Sequence, residues 1–309
     1  MTMATPDPTR PARVVVLGRR GFVASHLVRY LESLGLRVTA IGKDEVDLTL
    51  PESVDLLSAR LNDTDTVVIT STLTPDKGRD VRTLMTNLTM AQHLCEVFDK
   101  QPCAHVVHLS SDAVYTADRT GLDESSSREP ADLYAVMHTA REMMLGSVLA
   151  ARQVPCGVFR PVNIYGFGDS HNSYGPNRFI RQAFAEGKIS LFGNGEEQRC
   201  HLYIEDAIGV IAASIAGRVA GRFNLAPPQP VTFLDIAEMV QAACPFPVEI
   251  ERKPRSASAV VTHRTYAAAR LQEAFPEVRF TPMPVAIARY VGLIQEAGRG
   301  LPATGQVRP

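Results

Sequence analysis

The chain has 309 residues, 45% of them apolar and 21% charged, a globular composition long enough to bury a sizeable core in one large domain or two ordinary ones. Its formal net charge of -1, without any Lys/Arg block, gives no electrostatic reason to expect nucleic acid or an anionic membrane as partner, and no apolar run approaches the ~20 residues that span a bilayer. The opening "MTMATPDPTRPAR" lacks the apolar stretch of a secretory signal, and the five cysteines, scattered without CxxC spacing, favour reduced thiols in a cytoplasm over a disulfide framework or a zinc site.

Residues 1–11 and 297–309 read as flexible tails. "RVVVLG" (13–18) is a short β-branched run ending in glycine, the pattern of a buried parallel strand. A helix follows in "FVASHLVRYLESLG", stopped by Gly35. "RVTAIG" (37–42) and "TDTVVIT" (64–70) are further strands, separated by a short helical stretch. Then come a long amphipathic helix over 81–100, the strand "HVVHLSS" (105–111), a helix over 131–152 and the strand "CGVFRP" (156–161). This alternation predicts a doubly wound parallel sheet. After Pro161 the Gly/Asn/Ser-rich "NIYGFGDSHNSYGPNRF" reads as loop. "IEDAIGVIAASIAG" is a helix and "RFNLA" the last strand of the sheet. Two more helices, "TFLDIAEMVQAAC" and "PVAIARYVGLIQEAG", suit a small lobe over the open end of the sheet.

Three stretches carry chemistry. In "GRRGFVAS" (18–25), Gly18 and Gly21 sit between a strand and a helix. Backbone can there approach a phosphate closely, and the helix N-terminus offers free N–H groups to it, as a dinucleotide requires. A tight structural turn has the same residues. The second strand ends on Gly42 and Lys43 with Arg19 and Arg20 nearby, cations suited to the 2′-phosphate of NADP; Asp44 or Asp47 could instead serve the ribose of NAD. "HLSSDAVY" (108–115) closes a strand at its carboxyl end, where doubly wound sheets bind ligands. Ser111 can hydrogen-bond a substrate oxygen and Asp112 can act as an acid, although Ser-Ser-Asp also makes an ordinary turn or cap. In "LYAVMHTARE" (133–142), Tyr134 and His138 are four apart and share a helix face. A phenol with a pKa near ~10 needs a neighbouring cation to work near neutral pH. His105 and His108 read as core or edge histidines, and no metal site is expected.

Taken in order, "GRRGFVASHL", "LSSDAVY", "LYAVMHTARE", "FRPVNIYG", "GPNRFIRQA", "LFGNGEEQRCHLYIEDA" and "FNLAPPQPVTFLDIAEMV" resemble the extended short-chain dehydrogenases/reductases that act on nucleotide sugars, over about residues 12–296. The resemblance implies an α/β fold: a Rossmann domain, 12–165 with 201–226, and a small C-terminal α/β substrate lobe, 166–200 with 227–296. It implies Tyr134 as acid–base residue and Ser111 as its partner on the sugar oxygen. Gly18, Arg20, Gly21, Phe22 and Val23 would hold the pyrophosphate side of NAD(P), Asp47 and Leu48 the adenine, and Pro161 and Val162 the nicotinamide. Asn163, Asn177, Arg178, Phe192, Arg199 and Arg255 would meet the substrate, the arginines through its phosphates. The stretch around "GRRG" and "GKDEVDLTL" is similar to GDP-fucose synthase, which implies NADP and net reduction; 4-epimerisation of a UDP-sugar is the alternative. His138 stands where the family carries a lysine, so a dinucleotide-binding sensor or pathway partner with dulled catalysis is a third reading. Ala113 replaces the glutamate of sugar 4,6-dehydratases and the cysteine of GDP-fucose synthase, which argues against dehydration and 3,5-epimerisation. The family's habit of pairing two long helices implies a homodimer through 81–98 and 133–151.

Overall fold

The computed structural model describes residues 11–116, 119–255 and 260–299. The first half alternates strand and helix: β1 (Val14–Leu17), α1 (Phe22–Ser33), β2 (Val38–Ile41), α2 (Ser53–Ser58), β3 (Thr66–Ile69), α3 (Val81–Lys100), β4 (His105–Leu109), β5 (Arg119–Leu122), α4 (Leu133–Ala151) and β6 (Cys156–Pro161). Shorter pieces follow: β7 (Asn163–Tyr165), α5 (Pro176–Glu186), β8 (Lys188–Phe192), β9 (Gln198–Arg199), β10 (His201–Tyr203), α6 (Ile204–Gly217) and β11 (Gly221–Leu225). The chain continues with β12 (Val231–Thr232), α7 (Phe233–Ala243), β13 (Glu249–Lys253), β14 (Arg264–Tyr266), α8 (Ala269–Ala274) and α9 (Met283–Arg299).

Six parallel strands form the central sheet in the order β2-β1-β3-β4-β6-β11. Alternate residues of each strand serve opposite faces. Val14, Val16, Val68 and Val107 pack with Leu27 and Leu31 of α1 and Ile208 and Ile211 of α6. Val15, Leu17, Val67 and Val106 pack with Leu94 and Val97 of α3 and Leu145 and Leu149 of α4. Burial on both faces explains why the strands are continuous Val/Ile/Leu runs without alternation. The strand order reverses at β1, so β1 and β3 diverge in their connections and leave a crevice beyond their carboxyl ends.

A second sheet, β12-β9-β14-β5, joins three strands of the predicted lobe to β5, which comes from between β4 and α4. The predicted boundary, which assigned all of 12–165 to the dinucleotide domain, is therefore crossed by residues 119–122. The stretch predicted as loop after Pro161 also contains structure, β7 pairing with β10 and α5 starting at Pro176. Of the predicted tails, residues 1–10 and 300–309 lie outside the described residues, whereas 297–299 belong to α9. Among the described residues no helix is long and apolar enough to cross a membrane.

Candidate active site

A cleft of about 710 Å³ opens at the carboxyl ends of the central strands and runs between the sheet and the lobe, within the size range of small-molecule sites. One end is the turn between β1 and α1. Gly18 has φ +103°, and a Cβ there would come within 2.8 Å of Thr70 Oγ1; glycine is what lets the β1 and β3 ends approach so closely. The Gly21 amide donates to the Gly18 carbonyl at 2.8 Å. Unlike α3, α4 and α7, capped by Asp80, Asp132 and Thr232, helix α1 has no side-chain cap and no acid in its first turn. Its positive end and free N–H groups face the cleft beside Arg20, Gly21, Phe22 and Val23. The residues present thus fit a pyrophosphate, and hence a dinucleotide.

The other end is built on α4. Asp132 accepts from the Ala135 amide at 2.8 Å and fixes the first turn, which carries Tyr134. Tyr134 and His138 both line the cleft, their rings edge to face with centroids 4.6 Å apart. Partial burial and the Asp112 carboxylate push the Tyr134 phenol up to about 12, against a hydrogen bond to Ser111 and the charge of Arg141. Burial, aided by the Arg141 charge and His108, holds His138 well below the usual imidazole range, so the ring is neutral. Both nitrogens of His138 are buried and without a hydrogen-bond partner among the described residues. Such orphaned polar atoms at the edge of a cleft are suited to a ligand's hydroxyl.

Ser111 caps the short 3₁₀ turn Asp112–Val114, accepting from the Ala113 amide at 3.1 Å. The cap reading is therefore met by this hydroxyl, and Ser111 also lines the cleft. Asp112 is clamped from the lobe. Tyr266 donates to its carboxylate at 2.5 Å, Arg264 lies 3.6 Å from the same oxygen, and Arg264 also donates to the Asp112 and Tyr115 carbonyls. Arg264 and Tyr266 also line the cleft; they lie between the last two predicted helices, in a stretch to which the sequence assigned no element. The loop after β3, with Thr72, Thr74, Asp76 and Lys77 on the cleft wall, was missed too. Its position was available in principle: it follows a parallel strand's carboxyl end.

The predicted nicotinamide and substrate residues divide. Pro161, Val162, Asn163 and Arg199 line the cleft. Arg199 is held by the Thr262 carbonyl at 2.6 Å and by its hydroxyl. Asn177 is a buried strut: its amide bonds Asp169 and its oxygen accepts from Gly166. Arg178, Phe192 and Arg255 lie apart from the cleft wall, around Tyr174. The Arg178 guanidinium sits 5.8 Å from the Tyr174 ring centre and Phe192 packs at 5.7 Å. Arg255 is ion-paired with Glu197 at 2.6 Å and Glu196 at 3.4 Å.

Beside the end of β2, where the sequence reading placed the adenosine, Arg19 pairs with Asp44 at 2.8 Å and Glu45 at 3.0 Å, Arg20 reaches Asp44 at 3.4 Å, and Lys43 lies 3.4 Å from Asp47. These groups are largely solvated, so each pair is weak. Leu48 is buried in the core, and its carbonyl meets His93 Nδ1 at 2.8 Å.

Comparison with known proteins bears on the fold and the family. A dTDP-4-dehydro-6-deoxy-D-allose reductase of Streptomyces bikiniensis is 27% identical over 290 aligned positions, covering 81% of this chain and 86% of that protein. The solved UDP-N-acetylglucosamine 4-epimerase of Bacillus cereus superposes with a TM-score of 0.80 at 20% identity, over 95% of this chain and 98% of that one. A GDP-L-fucose synthetase of Naegleria fowleri, solved with NADP bound, gives 0.79 at 14% identity, over 94% and 96%. At such identities the two structures speak for the fold alone. Residues 14–226, which include the Gly18–Gly21 turn, Ser111 and Tyr134, match the family model for NAD dependent epimerases and dehydratases, and the chain belongs to that family.

Proposed function

We propose that this protein is an NADPH-dependent reductase of a nucleotide-linked 4-keto sugar, with Tyr134 as proton donor. The observation that carries the reading is the state of the α4 face. A protonated phenol pushed up to about 12 stands beside a neutral imidazole, Ser111 and the cleft. A protonated phenol is the resting form that reduction needs, whereas a 4-epimerase must begin its oxidation from the phenolate. The 27% likeness to a 4-keto sugar reductase supports the same direction. When bound, the reduced nicotinamide supplies the hydride, two electrons and a proton's worth of hydrogen, to the carbonyl carbon. Tyr134 gives its phenolic proton to the carbonyl oxygen, Ser111 orients that oxygen, and the phenolate regains a proton from water. The orphaned His138 nitrogens are available to a ribose hydroxyl of the cofactor.

NADP is preferred in this reading. Arg19, Arg20 and Lys43 provide the charge for a 2′-phosphate, which would exchange with Asp44 and Glu45 on Arg19. Arg178, Phe192 and Arg255 around Tyr174 would take the nucleotide end of the substrate, and Asp112, steadied by Tyr266, would face the sugar. Val81 and Met85 of α3 and Val136 and Met143 of α4 are exposed apolar side chains on the two helices proposed to pair in a homodimer.

The test is NADPH oxidation with a nucleotide-linked 4-keto-6-deoxyhexose. Tyr134→Phe is expected to lower kcat by ~10²–10⁴ while leaving NADPH affinity within a few fold. Tight cofactor binding without oxidation on any 4-keto nucleotide sugar would overturn the reductase and favour the non-catalytic sensor, the reading motivated by His138.

A further inference from the structure

Arg141 lies three residues past His138 and seven past Tyr134, on the same face of α4, and is fully buried. Its neighbour Glu142 is committed to Arg160, and among the described residues Arg141 itself enters no ion pair. Nη1 donates to the Asn87 carbonyl of α3 and Nη2 to the Ser71 carbonyl after β3, both at 3.0 Å, while Nε is buried without a partner. Long helical side chains lean toward the helix N-terminus, which here is the direction of the His138 turn and, beyond it, of Tyr134. Asn87 and Tyr134 share the wall of one small crevice, and Thr70 and Thr72, flanking Ser71, line the main cleft. A buried cation with no counter-ion is costly unless its charge is used.

We propose that Arg141 is the positioning cation of this site, the fixed positive charge that steadies the Tyr134 phenolate left after proton donation. The inference rests on reading Tyr134 as the proton donor. Asp112, from the turn after β4, and Asp132, from the helix cap, face the phenol and oppose its ionisation; Ser111 and Arg141 favour it. Arg141 in turn faces Cys95 of α3, His108 of β4 and His138. His138, being neutral, cannot supply the charge. The cation of the helix has moved one turn along the same face, and it is anchored to the loop beneath the cofactor end of the cleft.

The experiment follows the phenol itself. Tyr134 is replaced by a fluorinated tyrosine, which brings its titration into an accessible pH range, and the full-length protein is titrated by fluorine NMR without substrate. Arg141→Met is expected to raise that pKa by ~0.5–1.5 units, Arg141→Lys to raise it less, and His138→Lys in the Arg141→Met background to bring it back. An unmoved titration in Arg141→Met, or no return in the double variant, overturns the proposal. If Arg141→Met does not fold, Arg141→Gln keeps an amide donor for the carbonyls and carries the same expectation. Because no substrate is involved, a shifted phenol in a protein that reduces no sugar would sink the reductase while still showing that the Arg141 charge acts on the Tyr134 phenol. An active reductase with an unshifted phenol would do the reverse.

Discussion

Helix α4 carries two buried polar clusters side by side, and they are built on opposite terms. Toward the cleft stand Tyr134, His138 and Arg141, with both nitrogens of His138, both of His108 and Nε of Arg141 unpartnered. One residue further along, Glu142 accepts from Arg160 through both oxygens, at 2.9 and 2.7 Å, and from Ser110 at 2.6 Å. Arg160 continues to the Tyr115 hydroxyl at 2.5 Å, and Tyr115 to Asn224 at 2.7 Å, tying α4, β6 and β11 together. Burial works to raise the Glu142 pKa, but the hydrogen bonds and charge of Arg160 outweigh it and hold the carboxyl low. The second cluster has spent its hydrogen-bonding capacity within the protein; the first has not. In a folded chain saturation marks a structural role, and unspent capacity at a cleft marks a functional one.

Breaking the saturated side should have the largest effect on stability. Arg160→Met strands a buried carboxylate, and a loss of ~3–5 kcal/mol is expected in urea unfolding. On the open side the sign should reverse. His138→Leu removes two unsatisfied buried nitrogens, so the cofactor-free protein is expected to gain ~1 kcal/mol while cofactor affinity falls. Equal destabilisation by the two variants would erase the difference between the two clusters. Gly18→Ala probes the far end of the cleft: with φ +103° and Thr70 Oγ1 at 2.8 Å, the added methyl should weaken dinucleotide binding by ~10-fold or more in a fluorescence titration, with the fold retained.

Acid separates the clusters by where each titrates. His108 is pushed down to about 3 by burial and the Arg141 charge, and His138 is also held low. Both are neutral when folded, while the unfolded chain takes up protons below ~6.5. Stability therefore falls as pH drops from ~6.5, by up to ~1.4 kcal/mol per pH unit for each ring. The depressed Glu142 acts lower: its contribution is present above the unfolded carboxyl value of ~4.3 and is lost as pH falls through the lower folded value. His108→Gln should flatten the pH dependence between ~6.5 and ~5 by about one proton. An unchanged slope would mean that the ring is charged in the fold. The smallest expected effect is Asp132→Ala, which removes the α4 cap at a cost of ~1 kcal/mol in thermal or urea unfolding.

What the amino-acid sequence determined by itself is whatever depends on neighbours within a few residues. The β-branched runs of the central sheet, the 81–100 helix, the Gly18–Gly21 turn and the common face of Tyr134 and His138 are local matters of periodicity and backbone freedom. The order of motifs along the chain carried the family, and with it the cleft residues Ser111, Pro161, Val162 and Asn163. The tertiary structure alone decided which polar groups find partners. Arg264 bonds a carbonyl 152 residues away, β5 joins a sheet of the lobe, and Arg255 is taken by two glutamates. It also decided the charge of His138, because an imidazole's protonation follows its burial and its neighbours rather than its place in a motif. A buried arginine without an acid beside it leaves no trace in the order of residues: counter-ions are brought or withheld by chain crossovers, and those exist only once the sheet has formed.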